Sequence, residues 1–195
     1  MDTAPFAHCA WHNEPPAHRI EDGTLHVVTG DRTDFWRITS YGFIRDNGHF
    51  FGAPAADGFT AQVHVRAAFA ELYDQAGLMV RIDEQRWIKV GVEFSDGQAL
   101  LSTVLTNGTS DWAVAPAPAL PDGFWLRVTV GAGVIRVQYS ADGTMWPMLR
   151  LAPFPAAPRY LVGPMCCTPQ RAGLAVAFSD FTLGPALGKD LHDLS

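Results

Sequence analysis

The sequence predicts an all-β protein, a sandwich or jelly roll of antiparallel strands. Three observations carry the prediction. Residues 58–69 and 75–94 alternate apolar and polar side chains with a period of two, which places alternate residues on opposite faces of a strand. Turn sequences punctuate the chain, among them Asn47-Gly48, Asp96-Gly97, Asn107-Gly108 and Asp142-Gly143. Roughly ten to thirteen strands then fit at ~8–12 residue spacing. Helical periodicity is almost absent, and only residues 67–74 offer a single helical turn.

The clearest stretch is QAGLMVRIDEQRWIKVGVEF at 75–94. Its second half puts Ile88, Val90, Val92 and Phe94 on one face and Trp87, Lys89, Gly91 and Glu93 on the other. Leu78, Val80 and Ile82 give the first half its apolar set, opposite Gly77, Met79, Arg81 and Asp83. Asp83 to Arg86 makes a hairpin loop, and the crossing puts Arg81 or Asp83 near Trp87 and Lys89. One face is expected to be core and the other a wet surface or groove.

In chain order, residues 1–22 read as an extended leading segment and 23–30 as a short strand. TDFWRITSYGFIRDNGHFF at 33–51 holds Phe35, Trp36, Tyr41, Phe43, Phe50 and Phe51. It predicts an aromatic loop packed over a sheet edge, with Asn47 and Gly48 at positive φ, and a strand from His49. Residues 58–69 set Phe59, Ala61, Val63 and Val65 against Thr60, Gln62, His64 and Arg66. Further strands are expected at 99–106, 123–130, 134–140, from 161 and at 172–182. The proline-bearing segments 113–122 and 153–158 read as connections. The expected organisation is one sandwich domain over 1–184 and a loosely attached tail over 185–195.

Composition narrows the classes. Net charge is −6, with no basic block, which argues against a nucleic-acid or anionic-membrane surface. No stretch approaches the ~18 apolar residues of a membrane span. The N-terminus lacks a signal pattern. Three cysteines, two of them adjacent at 166 and 167, make no disulfide framework. A cytoplasmic protein with reduced thiols is expected. The seven histidines show no zinc spacing, so no cofactor and no side-chain metal site are expected. Calcium on loop carboxylates needs no compact motif and stays open.

The candidate ligand-binding residues follow from the faces. Trp87 would stack on a sugar ring, with Gln62, Lys89 and Glu93 bonding its hydroxyls and His64 and Arg81 nearby. On the 33–51 loop, Trp36 and Tyr41 could stack, Arg37 or Arg45 could pair with a ligand carboxylate, and His49 lies at the end of the same loop. The plain alternative is a solvated sheet face and a loop held by its own aromatics. Glu93 is also the candidate acid or base, with Asp34, Asp46 or Asp83 as a possible second carboxyl.

The strings at 33–51 and 75–94, with TNGTSDW at 106–112, QYSADGTMW at 138–146 and VGPMCCTPQRAGLAVAFSDF at 162–181, resemble the concanavalin A-like lectin/glucanase superfamily. Within it, the chain looks like the regulation-of-enolase-like family, which has no settled activity. The resemblance implies a jelly-roll sandwich of two antiparallel sheets, whose concave face binds sugars in many members and is catalytic in some. Glucanases of the superfamily carry a Glu-x-Asp-x-x-Glu-like strand. Here Glu93 has no second acid at that spacing, which weighs against hydrolysis.

Three readings result. The first is a non-catalytic module binding a saccharide or small molecule on the concave face. The second is a glycoside-active enzyme using Glu93. The third is a protein-interaction or metabolic-regulatory module using the aromatics of 35–51. Pairing of exposed sheet edges would give a homodimer.

Overall fold

The computed structural model describes residues 5–120 and 122–195. The expected leading segment therefore loses residues 1–4, and the 113–122 connection loses residue 121, to positions outside the described residues. Sixteen strands follow one another: β1 (Ala10–His12), β2 (Ala17–Glu21), β3 (Thr24–Val28), β4 (Phe35–Arg37), β5 (Ile44–Asp46) and β6 (His49–Ala55). Then come β7 (Phe59–Ala67), β8 (Gln75–Arg81), β9 (Arg86–Ser95), β10 (Gln98–Asn107) and β11 (Thr109–Pro116). The last five are β12 (Phe124–Gly131), β13 (Val134–Ser140), β14 (Met148–Pro153), β15 (Tyr160–Cys167) and β16 (Ala175–Pro185).

They form two seven-stranded antiparallel sheets, in the orders β1-β6-β15-β8-β9-β10-β11 and β14-β13-β12-β7-β16-β3-β2. A separate two-stranded ribbon pairs β4 with β5. We call the sheet containing β8 and β9 the front sheet and the other the back sheet. Among the described residues there is no helix; residues 68–74 are an irregular turn rather than the helical turn expected. No helix is therefore long and apolar enough to cross a membrane.

The core lies between the sheets. Ala61, Val63 and Val65 of β7 and Leu126 and Val128 of β12 meet Leu78, Val80, Ile88, Val90 and Val92 of the front sheet, all buried. Alternation built this layer, since β7 and β12 switch between buried and half-buried residue by residue. At about 25 cal/mol per Å² of apolar area removed from water, that layer supplies the main stabilisation.

The hairpin β8–β9 has the predicted faces and register, with Arg81 opposite Trp87 and Gln75 opposite Glu93. Its second face is not wet, however: every residue of β8 and nearly every residue of β9 is buried. The cause is the 33–46 segment, which folds over the front sheet as an arm built on the β4–β5 ribbon. Phe35, Trp36, Phe50, Met79, Trp87, Val104, Met165 and Cys167 form a second apolar cluster beneath it.

Three local readings change. Residues 113–116 continue β11 along β10 rather than forming a connection. Gly48 does not take positive φ and neither does Asn47; a Cβ at Gly48 would fall 2.3 Å from the Phe35 ring, so glycine is there for space. The tail is not loose. Residues 186–195 return across the back sheet, where Leu187 donates to Thr60 Oγ1 at 3.0 Å, Trp146 donates to the Leu194 carbonyl at 2.8 Å and Arg136 donates to the Asp190 carbonyl at 3.1 Å.

Candidate functional site

The base of the arm, where Phe35 pairs with Asp46, is held by charges from the sheet below. Lys89 donates to Asp34 at 2.9 Å, just before β4. Arg81 makes a two-pronged contact with Asp46, at 2.7 and 2.8 Å, at the end of β5. Arg37 adds a third tie, donating from Nε to the Gly108 carbonyl at 3.0 Å, while its backbone N–H donates to Ser110 Oγ at 3.0 Å. Burial alone would favour a neutral Lys89, but the Asp34 carboxylate keeps its amine above the ordinary lysine value. Buried ion pairs of this kind add little net stability, yet breaking one is costly. They fix where the arm sits.

Beyond the second apolar cluster the arm and sheet separate and leave a cavity of about 340 Å³. Trp36, Tyr41, Phe43 and Arg45 come from the arm, Tyr73 from the turn before β8, Gln75 from the start of β8, Trp112 from β11, and Arg32, Pro169 and Gln170 from neighbouring loops. Glu93 and Asp34 complete the lining. Arg171 holds the 169–171 loop in place through Asp74, which also accepts the amides of Ala70 and Glu71. Burial raises the Asp74 carboxyl, but Arg171 and those amides outweigh it and hold it below the usual range.

Glu93 is the floor, only 3 % exposed. Its Oε2 accepts from Ser102 Oγ at 3.2 Å, and Ser102 in turn accepts from Trp112 Nε1 at 3.2 Å. Burial pushes the Glu93 carboxyl up to about 7, against the opposing pull of Lys89 and Ser102. Above it the Tyr41 and Tyr73 hydroxyls share a hydrogen bond at 3.0 Å. That bond, with burial, takes the Tyr73 phenol up to about 12. The rings stand edge to face: Trp36 on Trp112 at 86°, Tyr73 on Trp112 at 77°, Trp36 on Tyr41 at 66°.

Of the sequence candidates, Trp36, Tyr41, Arg45, Asp34 and Glu93 line this cavity, Asp34 while paired with Lys89. The others lie elsewhere, each for a physical reason. Trp87 is 0 % exposed inside the second cluster, its indole donating to the Glu84 carbonyl at 3.3 Å, so it has no face to offer a ligand. Lys89, Arg81 and Arg37 are spent on anchoring the arm. His49 is buried, accepting from the Gly30 amide at 2.9 Å and donating from Nδ1 to the Asn13 carbonyl at 2.8 Å; burial holds its imidazole below the usual value. Gln62 and His64 are on β7 of the back sheet, where Gln62 accepts from Arg127 and His64 packs on Trp125. They cannot converge with Glu93, because the whole core intervenes. Asp83 caps its own hairpin by accepting the amides of Gln85 and Arg86.

Tyr73, Gln75, Trp112, Arg32 and Gln170 were not picked out from the sequence. Their only signal was Asp111-Trp112 following a strong turn. Among the described residues, no three His, Cys, Asp or Glu side chains are grouped to hold a metal. The three cysteines are free, with Cys166 and Cys167 buried at the end of β15.

Two packed seven-stranded antiparallel sheets under a short ribbon define an all-β sandwich. The chain belongs to the family described as "Protein of unknown function (DUF1349)", whose model matches residues 11–186. It is 55% identical over 185 residues to "Regulation of enolase protein 1" of Saccharomyces cerevisiae, covering 95% of this chain and 93% of that one. A crystal structure of a functionally unknown protein from Saccharomyces cerevisiae superposes with a TM-score of 0.92 at 52% identity, over 94% of this chain and 99% of that one. The carbohydrate binding module CBM66 from Bacillus subtilis shares the fold, with a TM-score of 0.57 at 11% identity, over 89% of this chain and 94% of that one.

Proposed function

We propose that this chain is a non-catalytic module that holds a small polar ligand, a saccharide or a molecule of similar size, in the cavity over Glu93. One observation carries the proposal: about 340 Å³ of space walled by Trp36, Tyr41, Tyr73 and Trp112 and floored by a buried carboxyl. Ligand sites combine apolar walls with a few placed polar groups in this way. The likeness to a carbohydrate binding module supports it at the level of the fold. Hydrolysis is disfavoured because it needs two working carboxyls, and Asp34 is committed to Lys89. Free thiols fit a reducing compartment, and a cytoplasmic location is part of the proposal. Calorimetric titration against a panel of neutral and charged mono- and disaccharides and small metabolites is the test. Binding by the wild type and its loss in Trp112→Ala is expected. Binding unchanged in that variant removes the cavity as the site.

A second reading rests on the arm, where Ile38 and Ile44 are exposed apolar side chains close to the cavity-lining Phe43. Grouped exposed apolar residues mark contact surfaces, and the name of the 55% identical yeast relative concerns regulation of enolase. In this reading the arm presents a protein-binding patch. Co-purification with enolase that is lost in Ile44→Asp supports it; no association with the wild type ends it.

A further inference from the structure

The ring arrangement at the cavity differs from a single flat platform. Trp36, Tyr41, Tyr73 and Trp112 meet edge to face, at centroid distances of 5.6 to 6.4 Å. Rings set at steep angles wall the volume from several sides, with Tyr41 stacked on Phe43 at 16°, rather than offering one flat platform as a sugar ring needs. Electron-rich ring faces attract cations. At the base stands Glu93, whose Oε2 is bonded to Ser102 and whose Oε1 has no hydrogen-bond partner among the described residues.

We propose that the cavity is an aromatic cage for a ligand bearing a compact alkylated ammonium group, with Glu93 as its counter-charge. This rests on the reading that the cavity is a small-ligand site and narrows the ligand's chemistry. The local charges fit. Lys89, the nearest buried cation, is neutralised by Asp34 at 2.9 Å. Arg32 stands in solvent at the rim, its side chain 80 % exposed, where water and salt screen it. Arg45 lies over the Phe43 ring at 5.2 Å, so a ring face at this mouth already holds a cation.

Burial supplies the driving force. Burial holds Glu93 toward its neutral form, and Lys89 and Ser102 oppose it only in part. An ammonium bound beneath the rings supplies the remaining compensation, and the carboxyl releases its proton to solvent as the ion pair forms. An alkylated head group is favoured over a bare one. It loses less hydration on entry, and its methyl groups fill the space between the rings.

The test compares choline with 3,3-dimethylbutan-1-ol, which has the same shape with carbon in place of the charged nitrogen, and with glucose, each titrated into the full chain by calorimetry or NMR. Choline is expected to bind at least tenfold more tightly than the carbon isostere. That preference should shrink in Glu93→Gln, with binding lost in Trp112→Ala and both variants still folded by circular dichroism. Equal affinity for choline and its isostere overturns the inference. Binding of glucose without choline overturns the inference and leaves the small-ligand reading standing. No binding of choline, the isostere, glucose or any member of the broader ligand panel overturns both.

Discussion

The two ends of the arm rest on the same face of the same sheet and do opposite things. At one end Trp87, Phe35 and Met79 close on each other, and Arg81 and Lys89 find carboxylates. At the other, six residues along β9 from Trp87, Glu93 keeps a bare oxygen beneath a set of rings. Alternation alone would make Trp87 and Glu93 equivalent. What separates them is the reach of the arm, which the two ion pairs stop at Asp34 and Asp46. The closed end is a fastening, and the open end is the space that the fastening leaves.

Breaking the closed end should have the largest effect. Trp87→Ala empties a fully buried indole site and should cost about 4 to 5 kcal/mol, read as a lowered denaturant midpoint. Asp34→Ala leaves Lys89 buried without its partner and should cost about 3 kcal/mol. It should also free the arm, so hydrogen exchange in 35–46 should speed up more than in β7. If exchange in the arm is unchanged, the Lys89–Asp34 pair does not hold it.

The open end should respond to pH. Glu93 is raised from its ordinary value of 4.5 to about 7, so the native state keeps a proton that the unfolded chain loses. Stability from this group is fully present below 4.5, falls as pH rises to about 7, and is lost above it. The drop is on the order of 3 kcal/mol across that window. Glu93→Gln should flatten the slope and be more stable than the wild type at pH 8, by on the order of 2 kcal/mol. An unchanged slope would mean that another group is responsible. Trp112→Ala should be the mildest, below about 1 kcal/mol in stability, because the side chain is 37 % exposed. Its effect belongs in binding.

The sequence made the sandwich legible because period-two alternation is a property of single strands. Residues 58–69 and 75–94 showed which side chains enter the core, and one turn brought Arg81 or Asp83 near Trp87, of which the register takes Arg81. The site was less legible, because it depends on which distant segments come together. Tyr73, Trp112 and Gln170 are far apart in the chain and carry no shared pattern. Trp87 had every local mark of an exposed aromatic on a polar face; only the arm, arriving from 33–46, buries it. Gln62 and His64 shared a polar strand face with the right chemistry on the wrong sheet. Lys89 and Arg81 looked like ligand-binding cations, and their partners proved to be carboxylates of the arm itself.

The central claim is that the outer face of the front sheet, at the open end of the arm, is where a ligand sits. The most direct measurement is a two-dimensional ¹⁵N NMR titration that follows the indole N–H signals, with choline and then glucose as probes. Trp112 and Trp36 line the cavity, while Trp125 and Trp146 pack together on the back sheet side. The account predicts saturable shifts at Trp112 and Trp36, with Trp125 and Trp146 unmoved. Shifts confined to Trp125 and Trp146, or no saturable shift with either probe, would contradict it.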